Sequence, residues 1–216
     1  MIDQKELTIR LNHVILIDGF RQLSMSKLAT AANVSRAKLY LCFKNKDEIV
    51  AAVVDRHFKF IAEHPVPKHF TPATFLPIWL DSLLLMGATT DKFKADLQQV
   101  YPDLYQRFEQ AYQTYFEQLK SYVAQGQNAG FLVADFSAEF VIFQAQTLVS
   151  AVLTQVRQQK LTLTAAEHYM SAIFDLQLTG LVTPAARDQL QLTNVTEFMA
   201  TILREFRATY AQIASH

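Results

Sequence analysis

Apolar residues recur at helical spacing along most of this chain, and no segment shows the alternation in twos of a half-buried strand. Leu11, Val14, Ile15 and Ile17 predict a first helix over 9–20, with Gly19 placed where a left-handed residue ends it. Ser24 or Ser26 can cap a second, short helix through Ala32. Asn33, which tolerates positive φ, and Val34 then turn the chain before Ser35 and a third short helix. Asn45, with Glu48 three residues on, forms a capping box for a helix over 46–62 that is apolar at Ile49, Val50, Val53, Val54 and Phe58. Pro65, Pro67 and Pro72 forbid helix beyond it and mark the boundary between a domain over 1–60 and a second over 61–216.

The second domain continues in helices. Pro72 opens one over 72–86; others are expected over 91–100, over 102–128 with Gly130 closing it, and over 137–158. Thr164 with Glu167 is a capping box for a helix to about residue 178, Pro184 starts a short one, and Asn194 with Glu197 caps a last helix over 195–213. Only 5 Gly and 6 Pro punctuate 216 residues, so the predicted fold class is all-α.

Charge changes the picture. The whole chain is neutral, with 20 Lys+Arg against 20 Asp+Glu, which alone would discourage a nucleic-acid partner. The split is uneven: residues 1–60 carry 10 and 6, and residues 61–216 carry 10 and 14. Between Arg36 and Lys46 stand four cations and no acid. On a helical wheel Leu39 and Phe43 share one face, while Ala37, Lys38 and Leu41 lie opposite with Arg36 and Tyr40 on the flank. Such a basic, small and aromatic arc suits phosphates, base edges and thymine methyl groups.

The stretch "MSKLATAANVSRAKLYLCFKNKDEIV" resembles the helix-turn-helix of the TetR/AcrR transcriptional regulators. The resemblance rests on Met25, Leu28 and Ala29, then Val34, Ser35, Leu39 and Tyr40, then Phe43 and Lys46, then Asp47 and Glu48, with Gly19-Phe20 at the end of the first helix. It covers residues 7–60, and the rest of the chain matches only in helix number and order. It implies a three-helix DNA-binding head, a larger helical ligand-binding and dimerisation body, and a homodimer that sets two recognition helices in successive major grooves of a pseudo-palindromic operator. Carried over by position, Ser26, Arg36, Ala37, Lys38 and Tyr40 meet DNA, and Lys46 holds a phosphate at the start of its helix. Asn33 stands where Gly is common, and Leu41 where a polar residue or His often sits.

The body is rich in aromatics. Tyr105, Phe108, Tyr112 and Phe116 trace one helical stripe, which reads first as plain core and second, with Trp79, Phe143 and Gln144, as the wall of a pocket for a partly apolar or aromatic effector. The helices at 137–158 and 195–213 carry apolar faces that the resemblance assigns to dimerisation. The reading is therefore a repressor released from its operator by a small molecule, against the alternative of a helical binding protein or enzyme whose basic head recognises no specific site. No catalytic constellation, Gly-rich phosphate loop, zinc spacing or cofactor motif is present, so neither a catalytic residue nor a metal or other cofactor is expected. The single Cys42, the lack of a leader at Met1 and apolar runs shorter than the roughly 18–20 residues of a span lead us to expect a cytoplasmic protein without a membrane partner.

Overall fold

The computed structural model describes residues 3–190 together with Met199, Ala200, Leu203, Arg204, Phe206 and Arg207. Among the described residues the elements are α1 (Gln4–Asp18), α2 (Met25–Ala31), α3 (Arg36–Cys42), α4 (Lys46–Glu63), α5 (Pro72–Gly87), α6 (Asp91–Val100), α7 (Pro102–Asn128), α8 (Ala138–Arg157), α9 (Leu163–Leu181) and a 3-10 turn at Pro184–Gln189. The all-α expectation holds. A single antiparallel bridge, Leu132 to Val182, ties the turn after α7 to the end of α9.

The chain divides into two compact units. One, the head, comprises Met1–Glu63 and Thr89–Tyr112; the other, the body, comprises His64–Ala88 and Gln113–His216. Besides the N-terminal helices, the head thus contains α6 and the first part of α7.

Local chemistry explains most boundaries. α1 starts earlier than its apolar pattern, because the Asp3 side chain accepts the Glu6 amide at 2.7 Å and caps a polar first turn. Ser24 caps α2 and Ser35 caps α3, each accepting an amide three residues on. Asn33 adopts φ 54° between them, the left-handed geometry a tight corner requires. At α4 the Asn45 carbonyl oxygen accepts the Glu48 amide, while the Glu48 carboxylate reaches back to the amide of Lys44, one residue before the cap. α9 begins at Leu163, two residues before the expected start, with Thr162 rather than Thr164 as its cap. The helix expected over 195–213 lies largely outside the described residues.

In the head, Leu7, Leu11, Ile15, Leu28, Leu39, Phe43, Ile49, Val50, Val53 and Val54 form the apolar interior. Burying Leu39 and Phe43 contributes about 1.5–3 kcal/mol each and fixes which face of α3 turns outward. In the body α5 is the central helix. It buries Phe75, Leu76, Ile78, Trp79, Leu80, Leu85 and Met86, packs on α8, and α8 packs in turn on α9. Gly126 of α7 lies so close to Phe70 that a Cβ there would stand 2.7 Å from its ring. α8 has the length and composition of a membrane span, contrary to the expectation that no stretch reaches that length. Its apolar residues serve packing instead: Val141, Ala145, Val149 and Val152 are buried, and the polar Gln146, Thr147, Ser150 and Gln155 are exposed.

Candidate functional site

The outward arc of α3 has the composition expected of a DNA-reading surface. Arg36, Ala37 and Tyr40 are exposed and Lys38 is half-buried, while the hydroxyl of Ser35 accepts the Lys38 amide and fixes the start of the helix. The Arg36 guanidinium sits 5.5 Å from the centre of the Tyr40 ring, a cation–π contact that braces a long side chain over a flat one. Leu41 is 81 % exposed, the most exposed large apolar side chain among the described residues. Nothing in the head requires an apolar group there, and an apolar side chain on this arc can meet a thymine methyl. Ser26 is exposed on the first turn of α2, where its backbone carbonyl accepts the Thr30 hydroxyl.

Lys46, at the first position of α4, turns its side chain towards the α1–α2 turn. Its ammonium donates to the carbonyls of Phe20 at 3.1 Å, Arg21 at 3.2 Å and Leu23 at 3.2 Å. An ammonium has three N–H groups, and all three are taken by the α1–α2 turn. The residue therefore holds the turn that aims the second and third helices. From the other side the Asp96 carboxylate of α6 accepts the amides of Phe20 at 2.8 Å and Arg21 at 3.0 Å, and takes the Lys92 ammonium at 2.6 Å. Burial opposes ionisation of Asp96, but the bonds from Lys92, Arg21 and Phe20 outweigh it and hold the carboxyl below the usual range. Gly19, at φ 70°, lets this carboxylate approach, since a Cβ would stand 2.3 Å from its oxygen. Asp96 carried no motif in the sequence. Only its place inside an otherwise apolar face of a short helix could have drawn attention to it.

The head matches the family described as bacterial regulatory proteins, tetR family, over residues 14–53. The chain carries a TetR-type helix-turn-helix head. Over 41 residues it is 51 % identical to an uncharacterized HTH-type transcriptional regulator of Haemophilus influenzae, a match spanning 19 % of this chain and 22 % of that protein. In fold it is similar to a TetR-family transcriptional regulator from Marinobacter aquaeolei, at TM-score 0.57 and 14 % identity over 94 % of this chain and 99 % of the other. A TetR transcriptional regulator from Chloroflexus aurantiacus aligns at TM-score 0.52 and 12 % identity, over 83 % and 96 % of the two chains. The sequence match is thus confined to the TetR-type head, and the body is similar in fold alone.

The expected effector residues divide between the two units. Tyr105, Phe108 and Tyr112 belong to the head, where the His57 Nδ1 of α4 lies 2.8 Å from the Tyr112 hydroxyl and its ring packs against Phe93 and Phe108. Burial, with the charge of Arg56 adding to it, pushes the His57 imidazole down to about 3, so this ring is neutral at physiological pH. Trp79, Phe116, Phe143 and Gln144 belong to the body. Trp79 is 1 % exposed and donates its indole N–H to the Gln177 carbonyl oxygen at 3.0 Å, whereas Phe143 is 61 % exposed on α8. Along the α7 stripe Phe108 and Tyr112 are buried and Tyr105 and Phe116 half-buried: a 27-residue helix meets different neighbours along its length, and a 3.6-residue period is blind to which ones.

Proposed function

We propose that this TetR-family regulator is a cytoplasmic, dimeric repressor that binds a pseudo-palindromic DNA operator and leaves it when a small molecule occupies the body. The observation that carries the reading is the α3 surface, where Arg36, Ala37, Lys38, Tyr40 and Leu41 present cations, a small residue and apolar contacts on a helix whose inner face is locked by Leu39 and Phe43. Arg36 and Lys38 read base edges or grip phosphates, Tyr40 and Ser26 bond to the DNA backbone, and Ala37 allows the helix to approach closely.

Dimerisation is supported by the outer faces of α8 and α9, which expose Phe140, Phe143, Tyr169 and Leu176. A second copy of this chain is the partner a helical bundle of such faces fits, and twofold pairing sets two heads on two half-sites. Release by an effector requires tighter binding to the conformation that does not bind DNA, since equal affinity for both shifts nothing.

Selection of genomic fragments with the purified protein tests the reading. It predicts recovery of an inverted repeat, and release of the recovered fragment by members of a panel of apolar small molecules. Failure of a folded, dimeric preparation to enrich any site would remove the regulator reading, and an operator complex indifferent to the whole panel would remove the effector.

A further inference from the structure

α5 is buried around nearly its whole circumference, yet it carries a carboxylate. Asp81 is 6 % exposed, shares its helix face with Ile78 three residues before and Leu85 four residues after, and places one oxygen, Oδ2, 3.1 Å from the His64 Nδ1. The other oxygen, Oδ1, is buried without a hydrogen-bond partner. A buried acceptor left unpaired costs about 1–3 kcal/mol, and more when it is charged, so a purely structural helix would carry Leu or Ser at this position.

The neighbouring donors are already committed. The Ser82 hydroxyl donates to the Ile78 carbonyl at 2.6 Å, and the Tyr115 hydroxyl, 3.2 Å from Ser82 Oγ, is left to donate to that oxygen. The Trp79 indole N–H is spent on Gln177. Burial raises the Asp81 carboxyl above its usual range while the charge and hydrogen bond of His64 pull it down. Burial also pushes the Tyr115 hydroxyl up to about 12, with the Ser82 bond lowering it and the Asp81 charge raising it. The His64 side chain is 40 % exposed, so the pair extends from solvent into the interior of the body.

We propose that the body binds a cationic N–H ligand, a protonated amine or amidine on an apolar skeleton, with its charged nitrogen on the Oδ1 oxygen of Asp81 and its skeleton against the Ile78 and Leu85 side of α5. A cation supplies both things the site lacks, a donor for the unpaired oxygen and a compensating charge; a neutral donor supplies only the first. This inference rests on the reading of the body as an effector-binding unit and names the class of its ligand.

The full-length protein permits a direct test, because Trp79 is its sole tryptophan and lies two residues from Asp81 on the same helix. Tryptophan fluorescence and calorimetry would compare 4-phenylbutylamine with 4-phenylbutanol, and benzamidine with benzamide. We expect each cation to bind at least about tenfold more tightly than its neutral counterpart, and Asp81→Asn to erase that preference while leaving affinity for the neutral compounds unchanged. Equal affinity of cation and neutral isostere in the wild-type protein would overturn the inference, as would no binding of either cation, or an equal loss for both classes in Asp81→Asn. The wild-type comparison decides the matter even if the variant folds poorly. Operator release separates the two readings. Release by neutral apolar compounds, with no cation preference, overturns this inference and keeps the effector; an Asp81-dependent cation preference without operator release supports the site and counts against the effector role.

Discussion

The α1–α2 turn of the head and the α5 helix of the body handle buried polarity in opposite ways. In the turn, backbone carbonyls at Phe20, Arg21 and Leu23 meet the Lys46 ammonium, and the amides of Phe20 and Arg21 meet the Asp96 carboxylate. In α5, Asp81 is buried with one oxygen paired and the other open. Charged hydrogen bonds fully made fix a geometry, and a reading head needs its helices fixed. A half-made set leaves an acceptor that an incoming group can satisfy, which is what the proposed effector site needs.

Six substitutions and two pH dependences would break or sharpen this contrast. Asp96→Ala should have the largest effect, about 3–5 kcal/mol lost in denaturant unfolding followed by circular dichroism, because it strands two amides and the Lys92 charge. Part of the Asp96 contribution is also lost in acid: its carboxyl is depressed in the fold, so its stabilisation is complete above about pH 4 and fades as pH falls through the lower folded value. Lys46→Met should cost about 2–3 kcal/mol by the same assay. Under conditions where Lys46→Met stays folded, the slope of operator affinity against salt should match wild type if the ammonium stays on the turn; a shallower slope would show that Lys46 meets a phosphate.

His57 gives a titration of similar size. Its folded value, about 3, lies below the ordinary value of 6.5, so the unfolded chain binds the extra proton between them and stability falls as pH falls through that window. The expected slope is roughly 1.4 kcal/mol per pH unit below about 6.5, and His57→Gln should flatten it. Arg36→Ala or Lys38→Ala should each cost about 1–3 kcal/mol of operator affinity at little cost in stability. Smallest of all, Asp81→Leu should change stability by about 1 kcal/mol or less, in either direction, since the contact with His64 is offset by burying the unpaired oxygen. A loss as large as that of Asp96→Ala would erase the distinction between the two regions.

The inward and outward faces of α3 were legible in the sequence because their determinants are local. Ser35, Leu39, Tyr40 and Phe43 lie within nine residues, and helical period alone decides which of them turn inward. The two clamps on the turn were illegible for the opposite reason. Lys46 bonds to backbone carbonyls 23 to 26 residues earlier, and Asp96 to amides 75 and 76 residues away; backbone acceptors and donors leave no mark in a side-chain pattern. The start of α9 was misplaced for a subtler reason, since Thr162 and Thr164 present the same cap chemistry two residues apart and the choice belongs to packing. Aromatic residues were the least legible: Trp79 and Phe108 look alike in the sequence, and only the fold assigns one to the body and the other to the head.

Operator affinity as a function of salt, for wild type and for the Arg36→Ala, Lys38→Ala double variant, tests the central claim most directly. The α3 surface as DNA reader predicts tight wild-type binding to one inverted repeat with a steep salt slope. It predicts that the double variant loses about 2–6 kcal/mol of that affinity and that its slope is shallower by about two per head. Unchanged affinity and slope in a folded double variant would contradict it.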